Sequence, residues 1–191
     1  MLPNLSDRWG ATLQVMLPTA SEPANVSARR NALYELNNVN SIRISHSSGK
    51  GRKTRYAVDV FVDSPDTNGC SGMLTAEAGP RARCERGLSE FKDVADELHD
   101  IVDSAHSGLR CELCSAILNW FVFGENPDGL LLMFSSNDRV ARKLTKFLED
   151  LLAVTVKYSS TGTQGCCYGQ IHIPQVVHEF LFNQPATCDA A

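Results

Sequence analysis

The chain has 191 residues, 43% of them apolar, and a formal net charge of −4 with a pI near 5.7. That length supports one sizeable core and crowds two. The acidic balance disfavours nucleic acid, whose binders carry a basic footprint, and the chain has no run of about 18 apolar residues to span a bilayer.

Residues 1–30 lack the basic start and apolar core of a secretory signal, which predicts an intracellular protein. Its seven cysteines are then expected to be reduced thiols. Residues 1–37 carry three prolines and few apolar residues before Leu33, and read as a flexible arm. The first ordered unit is a hairpin. Val39, Ile42 and Ile44 lead into the turn-rich cluster Ser47-Ser48-Gly49-Lys50-Gly51, and Tyr56, Val58, Val60 and Val62 alternate on the return. Its tip carries Lys50, Arg52 and Lys53. After a Gly- and Pro-punctuated connection, the basic segment 81–86 supplies a third strand and completes an antiparallel meander.

Leu88, Phe91, Val94, Ala95, Leu98, Ile101 and Val102 recur at steps of three and four, which lays one apolar stripe along a helix. A second helix is predicted from about Arg110 to Phe123, with Cys114, Ile117, Leu118 and Phe121 inward. A turn at Gly124–Gly129 precedes the apolar run Leu130-Leu131-Leu132-Met133-Phe134, too short for a membrane helix and long enough to dock a loop on the core. A third helix spans about Ser136 to Val154 with Val140, Leu144, Phe147, Leu148 and Leu151 inward. Residues 157–170 read as loop, Pro174 opens a short closing helix with Val176, Val177, Phe180 and Leu181 on one face, and residues 184–191 form a disordered tail. Strands followed by helices make an α+β domain over residues 38–183, a three-stranded meander packed on three to four helices.

Charge is uneven along this order. Arg29 to Arg55 contains seven basic residues and one acid, whereas Glu85 to Asp103 contains seven acids and two bases. One part of the surface should attract anions and the outer face of the first long helix should repel them.

The stretch Arg86-Gly87-Leu88-Ser89-Glu90-Phe91 resembles the Arg-Arg-Tyr-Ser-Asp/Glu-Phe strand-to-helix junction of the phox-homology (PX) family. The segment from Arg142 to Leu152, with Leu144, Phe147, Leu148, Leu151 and Leu152, resembles that family's third helix. The resemblance covers roughly residues 38–183 and implies a phosphoinositide-binding module that acts as a peripheral membrane-targeting or trafficking adaptor on endosomal or other intracellular membranes. It also implies a loop, here Leu130, Leu131, Leu132 and Met133, that enters the bilayer. The chain departs from the pattern at the headgroup contacts. Gly87 and Leu88 stand where the family has the arginine that meets the 3-phosphate and the aromatic under the ring. No Lys or Arg lies between Gly124 and Phe134, and the third-helix arginine falls at about Val140, between Arg139 and Arg142.

A degenerate site built from Arg86, Arg139, Arg142, Lys50, Arg52 and Lys53 would hold anionic lipid loosely, each exposed cation adding roughly 1 kcal/mol. The alternative is the same fold used, without lipid, for contact with protein partners.

Cys111-Glu112-Leu113-Cys114 has the spacing of half a zinc site. Adjacent Cys166-Cys167 make a poor second pair and His106 and His172 have no matching spacing, so the reading is a buried helix face with no metal and no cofactor. A thioredoxin-like role would need parallel strands around the pair. Five histidines without a nucleophile, phosphate-loop or metalloprotease motif point away from catalysis.

Overall fold

The computed structural model describes residues 24–49, 53–62, 79–124, 135–159 and 167–183. They form an α+β fold in the order α1 (Ala24–Asn37), β1 (Val39–Ser48), β2 (Arg55–Val62), β3 (Ala82–Gly87), α2 (Leu88–Ser104), α3 (Glu112–Phe123), α4 (Asn137–Tyr158) and α5 (Tyr168–Phe182). The sheet is the expected antiparallel meander, β1-β2-β3.

Register follows from where each strand can bury side chains. Central β2 buries Tyr56, Ala57, Val58 and Val60, and its neighbours set Ile44 against Val58 and Cys84 against Val58. The β1–β2 connection bends at Gly49, whose φ of 83° is in the left-handed region; a Cβ there would lie 2.1 Å from the Lys53 carbonyl oxygen. The outer edge of β1 is covered by α4, where Thr145 Oγ1 accepts from the Ile44 N–H at 3.2 Å.

The helices meet the sheet through a cluster of rings. Phe91 of α2 is fully buried and lies edge-on to Phe147 of α4, at 6.3 Å between centroids, and to Phe180 of α5, at 5.1 Å. Trp120 of α3 sits 4.8 Å from Phe147. Such tilted pairs contribute about 0.5–1.5 kcal/mol each beyond the area they bury. At the start of α2 the Glu90 carboxylate accepts from the Gly87 N–H at 2.6 Å, which satisfies one of the helix's free amides. No helix among the described residues is long and apolar enough to cross a membrane.

Two expectations are corrected. Residues 24–37, read as part of a flexible arm, are helix α1 with Arg29, Ala32 and Leu36 buried. Positions 29, 32 and 36 have helical spacing, but the first is an arginine, so a count of apolar residues does not reveal the stripe. The closing helix starts at Tyr168, and Pro174 lies inside it. Its start is set by Cys167, whose side chain accepts from the Gln170 N–H at 3.4 Å.

One hydrogen bond joins the two helices. Pro174 has no N–H to give to the carbonyl four residues earlier, that of Gln170. Arg29, 3% exposed, donates its Nε to that oxygen at 2.6 Å. The proline thus leaves a buried acceptor, and the first helix supplies the donor. Helix α4 runs on to Tyr158, past its expected end near Val154 and into the expected loop over 157–170, while the arm over residues 1–23 and the tail at 184–191 lie outside the described residues.

Replacing Arg29 by Met should lower unfolding free energy by about 1–3 kcal/mol, because the Gln170 carbonyl loses a buried partner. In a Pro174→Ala background the helix can satisfy that carbonyl itself, so the same substitution should cost less. Urea unfolding of the two single variants and the double variant measures the coupling; equal costs in both backgrounds would remove this account of α1.

Candidate functional site

The contacts give the bundle two chemically different ends. Gly87, where α2 begins, pairs with Arg55 beside the β1–β2 turn. Helix α4 runs antiparallel to β1: Ile44 meets Thr145, while Val39 and Ile42 line one depression with Glu149, Leu152 and Val156. Helix α3 runs antiparallel to α4, since Trp120 meets Phe147 and the Gln170 amide reaches both Cys111 Sγ and the Tyr158 carbonyl. The hairpin turn, the end of α3 and the start of α4 therefore share one end, together with the end of α5. The opposite end gathers the α2–α3 loop, the end of α4 and the start of α5.

Arg86 lies at the hairpin end, 6% exposed, and its guanidinium is already engaged. It donates to the Phe180 carbonyl from Nε at 3.3 Å and from Nη2 at 2.8 Å, to the Glu179 carbonyl at 3.4 Å and to the Asn183 carbonyl. Its other nitrogen, Nη1, pairs with Glu90 at 3.3 Å, and the group lies 4.8 Å over the Phe180 ring. This is a cation capping the negative end of α5. The groove beside it is lined by Glu90, Asp93, Glu97 and Glu179, carboxylates that repel a phosphate.

The other cations gather elsewhere at that end. Arg139, Arg142, Lys143 and Lys146 line one shallow depression on α4. Their spacing of 0, 3, 4 and 7 puts them on one helical face, a pattern present in the sequence that singled out only Arg139 and Arg142. Lys146 is bridged to Asp150 at 3.0 Å and Arg142 Nε reaches the Asp138 carbonyl at 3.4 Å. Lys53, exposed, closes the hairpin turn at the same end. The structure thus brings Lys53 to the end that carries Arg139 and Arg142, while Arg86 faces a different groove. Lys50, Arg52 and the run Leu130, Leu131, Leu132 and Met133 lie outside the described residues.

Two further residues were missed. Val122 and Phe123, at the end of α3, are 70% and 84% exposed. Their signal was that they fall off the buried stripe of Cys114, Ile117 and Trp120 yet are large and apolar.

The opposite end holds thiols. His106, Cys111, Cys114 and Cys167 converge from the α2–α3 loop, the first turn of α3 and the start of α5. The expectation that Cys166-Cys167 makes a poor second pair overlooked that Cys167 can join Cys111 and Cys114 singly. Burial pushes the Cys111 thiol up, but the Cys114 N–H, His106 and the neighbouring thiols outweigh it and bring the group to about 7. Burial pushes Cys114 and Cys167 up. Cys84 stands apart in the sheet, also raised by burial, with its sulfur near the Phe180 and Leu181 carbonyls at 3.9 and 3.8 Å.

Arg86→Ala should destabilise the fold by about 1–3 kcal/mol, because the α5 carbonyls lose their donor. Arg83→Ala, on the same strand but 63% exposed and paired to Asp59, should cost at most about 1 kcal/mol. Thermal unfolding of the two variants compares them, and equal small shifts would deny Arg86 its capping role. No family model matches the chain, and neither does any curated protein or any solved structure.

Proposed function

We propose that the domain is a non-catalytic PX-like adaptor that docks on anionic membrane surfaces through its hairpin end, on endosomal or other intracellular membranes. One observation carries the reading: Arg139, Arg142, Lys143 and Lys146 share one face of α4, at the end where Lys53 and the exposed Val122 and Phe123 also lie. Cations at the same end as exposed apolar side chains suit a charged interface over hydrocarbon.

The geometry favours diffuse electrostatic attraction over a stereospecific headgroup pocket. A phosphoinositide pocket needs arginines free to form bidentate phosphate contacts, and Arg86 is spent on α5. The acidic outer face of α2, with Asp93, Asp96, Glu97 and Asp100 along a groove, would orient the domain by turning away from the same surface.

Co-sedimentation with vesicles of neutral phosphatidylcholine, and of the same lipid with phosphatidylserine or a phosphoinositide added, tests this. Binding should require the anionic lipid and weaken as salt shortens the Debye length from about 10 Å at 0.1 M to about 3 Å at 1 M. Arg139→Ala/Arg142→Ala should reduce partitioning about 30-fold, at roughly 1 kcal/mol per cation, with the melting temperature little changed. Absence of anion-dependent pelleting by the folded protein would discard the lipid reading in favour of protein contact at that end.

A further inference from the structure

The thiol end of the bundle lies opposite the end proposed for membrane docking, and core packing does not require a histidine among three cysteines. We propose that His106, Cys111, Cys114 and Cys167 form a Cys3His site for one structural zinc ion. Their four donor atoms all lie within 4.8 Å of one another. A tetrahedron of sulfurs about 2.3 Å from a central zinc has edges of roughly 3.8 Å. Cys111 Sγ and Cys167 Sγ are 3.5 Å apart, and Cys114 Sγ and Cys167 Sγ are 3.7 Å apart. All three residues are free cysteines.

The surroundings are built for thiolates. Cys111 caps α3 and accepts the Cys114 N–H at 3.5 Å, and Cys167 caps α5 and accepts the Gln170 N–H at 3.4 Å. Two helix N-termini therefore point their positive ends at the two sulfurs, which stabilises negative charge there. The Gln170 amide Nε2 lies 3.9 Å from Cys111 Sγ while it donates to the Tyr158 carbonyl at 3.2 Å, the kind of outer contact that orients a metal ligand. His106 Nε2 lies within 4.8 Å of the three sulfurs and accepts the Cys111 N–H at 3.4 Å, a long hydrogen bond that a bound metal would replace.

Close approach is also provided for. A Cβ on Gly169 would sit 2.5 Å from Cys114 Sγ, so glycine at the second position of α5 lets that helix meet the thiols. The loop that carries His106 is otherwise tied to α2 by the ion pair of Arg110 with Asp103 at 3.5 Å, and Ser107, Gly108, Leu109 and Arg110 are all exposed. Three soft thiolates and one imidazole select zinc over magnesium or calcium. Four protein ligands complete its coordination and leave no open position for substrate, so the role is to pin the loop and two helix starts together.

Full-length protein purified without chelator should contain about one zinc per chain by mass spectrometry, and EDTA should lower its melting temperature. Cobalt added to the stripped wild-type chain should give thiolate-to-cobalt charge-transfer and tetrahedral d–d bands. Cys114→Ser and His106→Ala should weaken those bands, and Cys84→Ser should leave them intact. A folded, metal-free protein that EDTA leaves unchanged and cobalt leaves colourless would overturn the site, as would a disulfide between Cys111 and Cys167. No readout here involves lipid, so the vesicle experiment and this one fail separately.

Discussion

Phe91 is the point on which the fold turns. It is the fourth residue of α2, immediately after the strand-to-helix junction, and its ring meets Phe147 and Phe180 edge-on while remaining fully out of water. Three helices that are far apart in sequence share that one contact. With Trp120 tilted against Phe147 at 4.8 Å, α3 joins the same cluster. This burial keeps the apolar stripe of each of these helices turned inward and so fixes how the helices pack on one another.

A bundle arranged this way separates its chemistry by end. Helices that run up and down carry each loop to one pole or the other. The turn of the hairpin, the end of α3 and the start of α4 place cations and exposed apolar residues together at one pole. The α2–α3 loop and the start of α5 place three thiols and an imidazole at the other. Membrane contact at the first pole and metal binding at the second are separate proposals, yet the same packing serves both. A rigid thiol end would hold α3 and α5 in register, and α5 is the helix whose terminus Arg86 caps at the cationic pole.

Arginine shows how a residue's type fails to disclose its job. Arg86 heads the motif that suggested a phosphate contact, but it is buried and satisfies main-chain carbonyls. Arg29 lay in a segment with no visible pattern, and it supplies the donor that Pro174 withholds. Arg139 and Arg142, by contrast, lie with Lys143 and Lys146 on a face whose charge was visible in their spacing. The difference is local against distant. Residues three and four apart on a helix are neighbours by geometry alone, whereas the carbonyls that Arg29 and Arg86 satisfy at Gln170 and Phe180 lie 141 and 94 positions away.

Local order was therefore open to reading from the residues alone. Alternating Tyr56, Val58 and Val60 gave the central strand, the stripes from Leu88 to Val102 and from Val140 to Leu151 gave two long helices, and the succession of strands before helices gave the α+β class, because periodicity of two or of three to four is a property of the chain itself. What the chain in one dimension could not show is which groups meet. The anchoring of α1, the capping of α5 by Arg86 and the gathering of Cys167 with His106, Cys111 and Cys114 all join residues separated by dozens of positions. They exist only once the aromatic core has chosen the helix directions, since a hydrogen bond or a ligand set depends on distances of a few ångströms that only packing sets.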